Sequence, residues 1–496
     1  MLQGIFAQLG PGADQPEDAI REGASKNLSD TDFLAAEAVK WLHGTRRKLQ
    51  LKGTAYYEYD YDFADHTQYT RDPDGAPVKV DTKKRLNVID NQYANMVDQK
   101  ANYILGKPFS LQTKDEKYTD ALNLVFDKTF KRMLHSVATD SLNGGIAWVH
   151  PYYNNEGELV FRNFPAHEIF PFWADDGHTV LDMAIRYYTS IVYVDRTETT
   201  VQHIEVYSRD GIQRYILSGG KLIADKDLPE IAYASAKDED GNDVKLSWDK
   251  IPLVAFKYNQ HEIPLIRRVM NLQDALNNTR SNWSNSMNED IRDTILILKN
   301  YEGEDIADFR KKLMLYGAVK VTDDGGVDTL RIERDSESYT TYLKDTKRAI
   351  IENARGFDAK DDRMSQNPNE MNLRSMYSDI DLDADTIELQ FQAAFDQLLW
   401  FVDQYLATAG RGDFLKEEVT FTFNRNMIVN DADTINNIKN SVGIVSNETL
   451  LAHHPYVSDV QAELDRKKKE QEQSPMAQMG NYPSMNGSDG EGGSAS

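Results

Sequence analysis

Apolar residues recur every three or four positions through most of the first 143 residues and every second position over much of the next hundred. A period of about 3.6 places them on one helix face, and a period of two on one face of a strand. Phe33, Leu34, Ala38, Trp41 and Leu42 predict a helix opening at Thr31, with Leu34 standing where a capping box would place Glu. A tyrosine-rich loop is expected over 56–61. A second helix is expected over 86–106, where Val88, Ile89, Tyr93, Met96, Val97, Tyr103 and Ile104 form one stripe closed by Gly106-Lys107-Pro108, and a third over 117–143. Alternation then predicts strands over 146–153, 158–164, 181–194, 200–208, 213–217 and 251–258. Asn154-Asn155-Glu156-Gly157, Asp175-Asp176-Gly177, Asp210-Gly211 and Gly219-Gly220 supply the positive φ that hairpins need, so an antiparallel sheet is expected.

Helical spacing returns beyond Pro264, in Ile266, Val269, Met270, Leu276, Trp283, Met287 and Ile291. A small β-α-β-β insert follows: a strand over 294–299, a helix over 304–316, and strands over 318–322 and 329–333 about Asp324-Gly325-Gly326. A helix over 337–355 leaves the insert and stops at Gly356, so two helices frame one small domain. After a polar segment over 357–370, apolar positions from Leu373 to Leu406 sustain a helix over 371–409. At ~1.5 Å per residue it is roughly 58 Å long, or it is two helices meeting at a kink in the alternating run Asp379-Ile380-Asp381-Leu382-Asp383-Ala384-Asp385. A strand over 420–429 and helices over 431–442 and 448–473 complete an α+β chain. Residues 1–30 and 474–496 lack periodicity and are expected to be disordered.

Charge narrows the chemistry. Lys and Arg number 56 against 80 Asp and Glu, a formal net charge of -24, so a generally basic DNA-binding surface is excluded and any nucleic-acid contact is local or weak. There is no cysteine, hence no thiolate nucleophile and no sulfur-held metal. No apolar run approaches the roughly 18 to 20 residues of a membrane span, and no membrane partner is expected. Gly106-Lys107 lacks the upstream glycine of a phosphate-binding loop, ends a helix rather than opening one, and precedes proline. His167-Glu168 and His261-Glu262 lack the second histidine of a helical zinc site, and His453-His454 diverge on any helix. Arg411-Gly412-Asp413 matches an adhesion tripeptide but reads as a helix stop. The acidic residues Asp379, Asp381, Asp383 and Asp385 are the one candidate for a magnesium-dependent phosphoryl-transfer site, against the simpler reading of a solvated or pore-facing surface.

Several stretches together resemble a known family. Residues 85–91 and 97–108, ending Leu105-Gly106-Lys107-Pro108, are similar to a helix near the start of the portal, or head-to-tail connector, proteins of tailed bacteriophages of the long-tailed siphophage type. Gly144-Gly145-Ile146-Ala147-Trp148-Val149-His150-Pro151-Tyr152 resembles their first wing strand, and residues 367–377 their loop-to-helix junction, although Asn369-Glu370-Met371 departs from the commoner Ser-Gly pair. Gly443-Ile444-Val445-Ser446-Asn447-Glu448-Thr449, with Pro455-Tyr456-Val457-Ser458-Asp459, is like a pattern near their C-terminus. The resemblance covers roughly residues 30 to 470.

It implies a non-enzymatic subunit without cofactors, assembling into a ring of twelve, or thirteen in isolation. Residues 31–260 and 410–430 would be the wing, 261–292 and 336–356 the stem helices, 293–335 the clip, 357–370 the tunnel loop, 371–409 the tunnel helix and 431–473 the crown. Asp358, Lys360, Asp361, Asp362, Arg363, Gln366 and Asn367 would meet DNA in the channel. Lys299, Lys311 and Lys312 would dock the motor or adaptor, and Arg267, Arg268, Arg280, Trp283 and Arg292 would line the stem's subunit interface. The implied partners are the major capsid protein and scaffold, the large terminase, the head-tail adaptor and, transiently, duplex DNA. The implied location is a capsid vertex of the virion, with assembly in the host bacterial cytoplasm. The competing readings are the phosphoryl-transfer enzyme, for which Asp381→Ala would abolish activity, and a phage scaffold or baseplate adhesin.

Overall fold

A computed structural model describes residues 23–61, 69–71, 77–79, 86–194, 196–226, 230–237, 243–288, 294–299, 326–331, 336–358, 370–425, 431–457 and 460–473. The chain divides into two compact units, one of residues 1–358 and 379–425, the other of 359–378 and 426–496.

The first unit opens with helices. Residues 23–30, expected to be disordered, include a single 3-10 turn, Ala24–Asn27, in which Ser25 donates from both its backbone N–H and its hydroxyl to Asp182. Helix α1 (Thr31–His43) is capped by Asp30, whose carboxylate accepts from the amides of Asp32 and Phe33, so the cap lies one residue before the expected one. Helix α2 (Thr45–Tyr57) replaces part of the expected loop. Its buried positions are Gln50, Gly53 and Tyr56, a stripe without one aliphatic side chain, which is why apolar periodicity does not reveal it. Gly53 lies against the Asn143 carbonyl, where a Cβ would collide. Helix α3 (Gln92–Leu105) starts six residues later than expected, with Asn91 as its cap. The expected third helix is two, α4 (Glu116–Val125) and α5 (Lys128–Gly144), because Asp127 caps the second by accepting from the Phe130 amide at 2.8 Å.

The strands form two principal sheets rather than one. Strand β1 (Ile146–Tyr153) lies between β2 (Leu159–Pro165) and the later β9 (Val254–Lys257). The second sheet holds β3 (Ile169–Trp173), β4 (Leu181–Val194), β5 (Thr197–Ser208) and β6 (Gly211–Ser218) in antiparallel order, with β7 (Lys221–Ala224) and β8 (Glu230–Ile231) both on the free edge of β6. Ile169, Trp173, Leu181, Ala184 and Tyr207 on one face pack with Trp148 and Phe164 of the first sheet. Phe170, Phe172, Met183, Ile185, Ile204 and Val206 on the other face pack under Leu34, Ala38 and Trp41 of α1, where Trp41 stacks on Phe170 at 4.9 Å. A bulge makes Trp173 oppose Leu181 and Phe172 oppose Met183, so Leu181 and Met183, two residues apart, serve opposite cores.

Helix α6 (Ile266–Asn288) leads to the antiparallel pair β10 (Thr294–Lys299) and β11 (Gly326–Arg331), and α7 (Ser336–Asn353) returns. The expected helix at 304–316 and strand at 318–322 lie outside the described residues. Helix α8 (Glu370–Thr408) is one uninterrupted helix through the acidic run. Short strand Thr420–Thr422 pairs with Ser110–Gln112.

The second unit holds α9 (Asp431–Asn440), α10 (Asn447–Ala452) and α11 (Val460–Gln473). The helix expected over 448–473 is therefore two, parted around His453-His454-Pro455, since proline disfavours a helical residue before it.

Candidate functional site

Helices α6 and α7 run antiparallel. Trp283 stacks on Tyr339 with ring centroids 4.0 Å apart, and further along Arg280 and Lys347 both reach Asp90 Oδ2, at 2.9 and 2.8 Å. Burial alone would raise the Asp90 carboxyl, but hydrogen bonds from Lys347 and Gln92 and the charges of Lys347 and Arg280 hold it below the ordinary carboxylate value.

The segment before α3 is an extended strap laid along α6, not the first turns of a helix. Asn285 accepts from the Leu86 amide and donates to its carbonyl, Ser281 accepts from the Val88 amide, and Asn277 accepts from the Asp90 amide. Gln273 donates to the Asp90 carbonyl and accepts from the amides of Gln92 and Tyr93. The spacing explains the fit: two residues of extended chain rise roughly 6.6 Å, and four residues of helix rise roughly 6.0 Å. A polar stripe at i, i+4, i+8 and i+12 therefore meets the inward amides of alternate strap residues, doing for one extended segment what a neighbouring strand does in a sheet.

At the other end of the helix pair, Asp383 of α8 gathers four donors. Lys100 Nζ lies 2.8 Å away, the Tyr258 hydroxyl 2.7 Å and Arg268 Nη1 3.0 Å, with Arg355 Nη1 at 3.8 Å. Burial would raise the Asp383 carboxyl, but the Lys100 charge and the hydrogen bonds from Lys100 and Tyr258 outweigh it and lower the pKa. Burial likewise pulls Lys100 down to about 8, against the attraction of Asp383. The same α3 face clamps the chain leaving α7: Lys100 donates to the Arg355 carbonyl, and Gln99 pairs with both the N–H and the C=O of Phe357 at 2.7 Å. Arg355 adopts φ +53°, the left-handed turn that ends the helix. Asp383 thus ties α3, the residue after β9, α6, α8 and the end of α7 together, and the Gln99 contacts hold the chain as far as Phe357.

The acidic run is divided by the helix it lies on. Asp381 and Asp385, four residues apart, share Arg425 with Glu388, while Tyr103 donates to Asp381. Asp383 turns to Lys100 instead. The carboxylates do not converge on one point, and among the described residues no group of three or more His, Asp or Glu side chains is arranged to hold a metal.

Of the residues singled out by sequence, Arg268 reaches Asp383, Arg280 reaches Asp90 and Trp283 stacks on Tyr339, all within the chain; Arg267 is exposed. Asp358 is half-buried, and Lys299 ends β10. Lys360, Asp361, Asp362, Arg363, Gln366, Asn367, Lys311, Lys312 and Arg292 lie outside the described residues. Sequence reasoning missed Lys100 and the Gln273-Asn277-Ser281-Asn285 stripe. Lys100 stands in the apolar stripe of α3 between Met96 and Ile104, and a cation in such a stripe signals a buried partner.

A model of the SPP1 Gp6-like phage portal proteins matches residues 42–475. The chain belongs to that family. Among portal relatives, the portal protein of Bacillus phage SPP1 is 28% identical over 448 residues, covering 89% of this chain and 86% of that protein. The portal protein of Clostridium phage phiCD119 is 26% identical over 439 residues, covering 84% and 91%. Among solved structures, a chain in the neck of an empty gene transfer agent particle matches 73% of this chain and 88% of its own length at TM-score 0.39 and 13% identity; one from the native particle matches at TM-score 0.38 and 12% identity.

Proposed function

We propose that this portal chain assembles into a homo-oligomeric ring, of twelve subunits in the virion, forming the DNA channel at one capsid vertex. Duplex DNA passes inward through it during packaging and outward at ejection; the large terminase docks first and the head-tail adaptor later. The observation that carries this reading is the family match over residues 42–475. The physical chemistry supports it. A conduit must let phosphates slide, and a chain of net charge -24 repels rather than retains them.

In this reading α6 and α7 are the stem, β10 and β11 belong to the clip that meets motor and adaptor, and residues 357–370 are the tunnel loop. The Gln99 and Lys100 contacts give that loop a rigid origin. Exposed Arg267 remains available to a neighbouring stem. Three of the four acids of the phosphoryl-transfer reading are engaged in ion pairs, Asp381 and Asp385 with Arg425 and Asp383 with Lys100, which favours the portal reading over it.

Light scattering coupled to negative-stain microscopy of the same peak tests the proposal. A particle near twelve times 56.5 kDa with a central hole is expected. A chain that stays monomeric across concentration and salt counts against it.

A further inference from the structure

Strands β4 and β5 outrun the sheet that holds them. Pairing to β3 stops at Arg186 and pairing to β6 stops at His203, whereas β4 and β5 stay paired out to Val194 and Thr197. Among the described residues, six on each side therefore project as a two-stranded ribbon without a third strand, roughly 20 Å long. Such a ribbon is marginal alone and is sustained by a third surface. One face of it aligns Ile191 with Thr200 and Tyr193 with Glu198, and Ile191 and Tyr193 are 63% and 68% exposed with their whole chain in place. The Tyr193 hydroxyl donates to Glu198 across the ribbon, and most of the side chain stays uncovered.

A receptor of matching character lies on another part of the same unit. A groove of about 810 Å³ runs between the α4–α5 junction and β2, floored by Phe130, Met133, Phe161 and Tyr405. Its lip carries Leu124, 69% exposed. On its walls Arg132, Arg162 and Arg411 outnumber Asp127 and Glu158, a local positive excess on a strongly acidic chain, while the ribbon brings Glu198.

We infer that the ribbon of one subunit seats in the α5–β2 groove of the next subunit, with Tyr193 and Ile191 filling the groove and Glu198 meeting its arginines. Two different patches on one chain that fit each other make a heterologous contact, and repeating it under a closing rotation generates a ring. The inference rests on the ring reading above and adds which surfaces meet.

The absence of cysteine makes the test direct. The double variant Leu124→Cys with Tyr193→Cys, oxidised mildly as an assembled ring, should give a reducible ladder of covalent multimers on a denaturing gel, because each copy's position 193 faces its neighbour's position 124. Each single variant should give none. Tyr193→Asp, on an exposed ribbon outside both cores, should keep the far-ultraviolet spectrum of the wild type and shift the mass distribution toward small species. Rings seen by microscopy that yield no ladder overturn the contact alone, as does Tyr193→Asp forming rings as readily as wild type, the outcome expected if the ribbon serves the capsid shell. A wild-type chain that never forms a ring overturns the ring reading and this contact together.

Discussion

The two-sheet core and the joint around Asp383 solve the same problem of holding distant segments together by opposite means. The core does it with area: Trp148, Phe164, Trp173 and Tyr207 on one side, Phe170, Phe172, Met183 and Trp41 on the other, nearly all removed from water. Such burial is non-directional and contributes ~25 cal/mol per Å². The joint does it with direction, since Asp383 accepts from a lysine, a tyrosine and an arginine contributed by three separate elements. A core built by area tolerates small changes in shape. A buried carboxylate surrounded by cations tolerates the loss of neither sign.

The sharpest way to break the comparison is Asp383→Ala. Lys100 would be left buried without its counter-ion, and a stability loss of about 3–5 kcal/mol is expected in urea unfolding. Asp383→Leu combined with Lys100→Met and Tyr258→Phe should recover most of it, because no buried donor is then left facing the site and Arg268 and Arg355, 32% and 50% exposed, are free to turn to water. Ile169→Val, which trims one buried methyl from the sheet core, should cost only about 0.5–1.5 kcal/mol. Equal losses in Asp383→Ala and Ile169→Val would show that the joint carries no special weight.

The joint should also show itself in pH dependence. Burial lowers the Lys100 pKa from 10.5 to about 8. Between those values the unfolded chain keeps a proton that the folded chain has lost, so unfolding free energy rises with pH, by at most about 1.4 kcal/mol per unit. Below pH 8 the lysine is protonated in both states and this slope vanishes. Asp383 acts at the other end: its pKa is depressed, so its contribution is present above 3.8 and is lost as pH falls through the folded value. Lys100→Met should remove its share of the alkaline slope in a series of urea melts; an identical slope in variant and wild type would refute the assignment.

The same contrast explains what the sequence disclosed. Strand β4 matches its expected range because alternation of apolar residues is a local signal. The long helix α8 was legible from eleven apolar positions for the same reason. Helix α2 was not, because its buried stripe is Gln50, Gly53 and Tyr56, and their apolarity does not announce burial. The split of the third helix was written in Asp127, a residue that caps helices far better than it continues them. The joint was half legible: Asp383 stood in a visible acidic run, but nothing local says that Lys100, 283 residues away, is its partner. Polar pairing at a distance has no period. The strap misled for a related reason, since Val88 and Ile89 continue the apolar stripe of α3 by composition while the strap backbone obeys the polar side chains of α6.

That strap offers the finest test of whether directed polar contacts act singly or together. Its four rungs lie in a gradient of burial, from Gln273 and Asn277, both inaccessible, through Ser281 to Asn285 near the exposed end. Gln273→Ala strands the buried Tyr93 amide and removes one partner each from the Gln92 amide and the Asp90 carbonyl, which still bond each other, and should cost about 1–3 kcal/mol, whereas Asn285→Ala hands its partners to water and should cost a few tenths. Ser281→Ala should fall between. Amide hydrogen exchange at Leu86, Val88, Asp90 and Tyr93 reads each rung separately. If each loss accelerates only its own strap amide, the rungs are independent hydrogen bonds. If removing Gln273 also accelerates the Leu86, Val88 and Asp90 amides, the strap peels from α6 as a unit, and the extended segment behaves as a strand whose sheet is a helix.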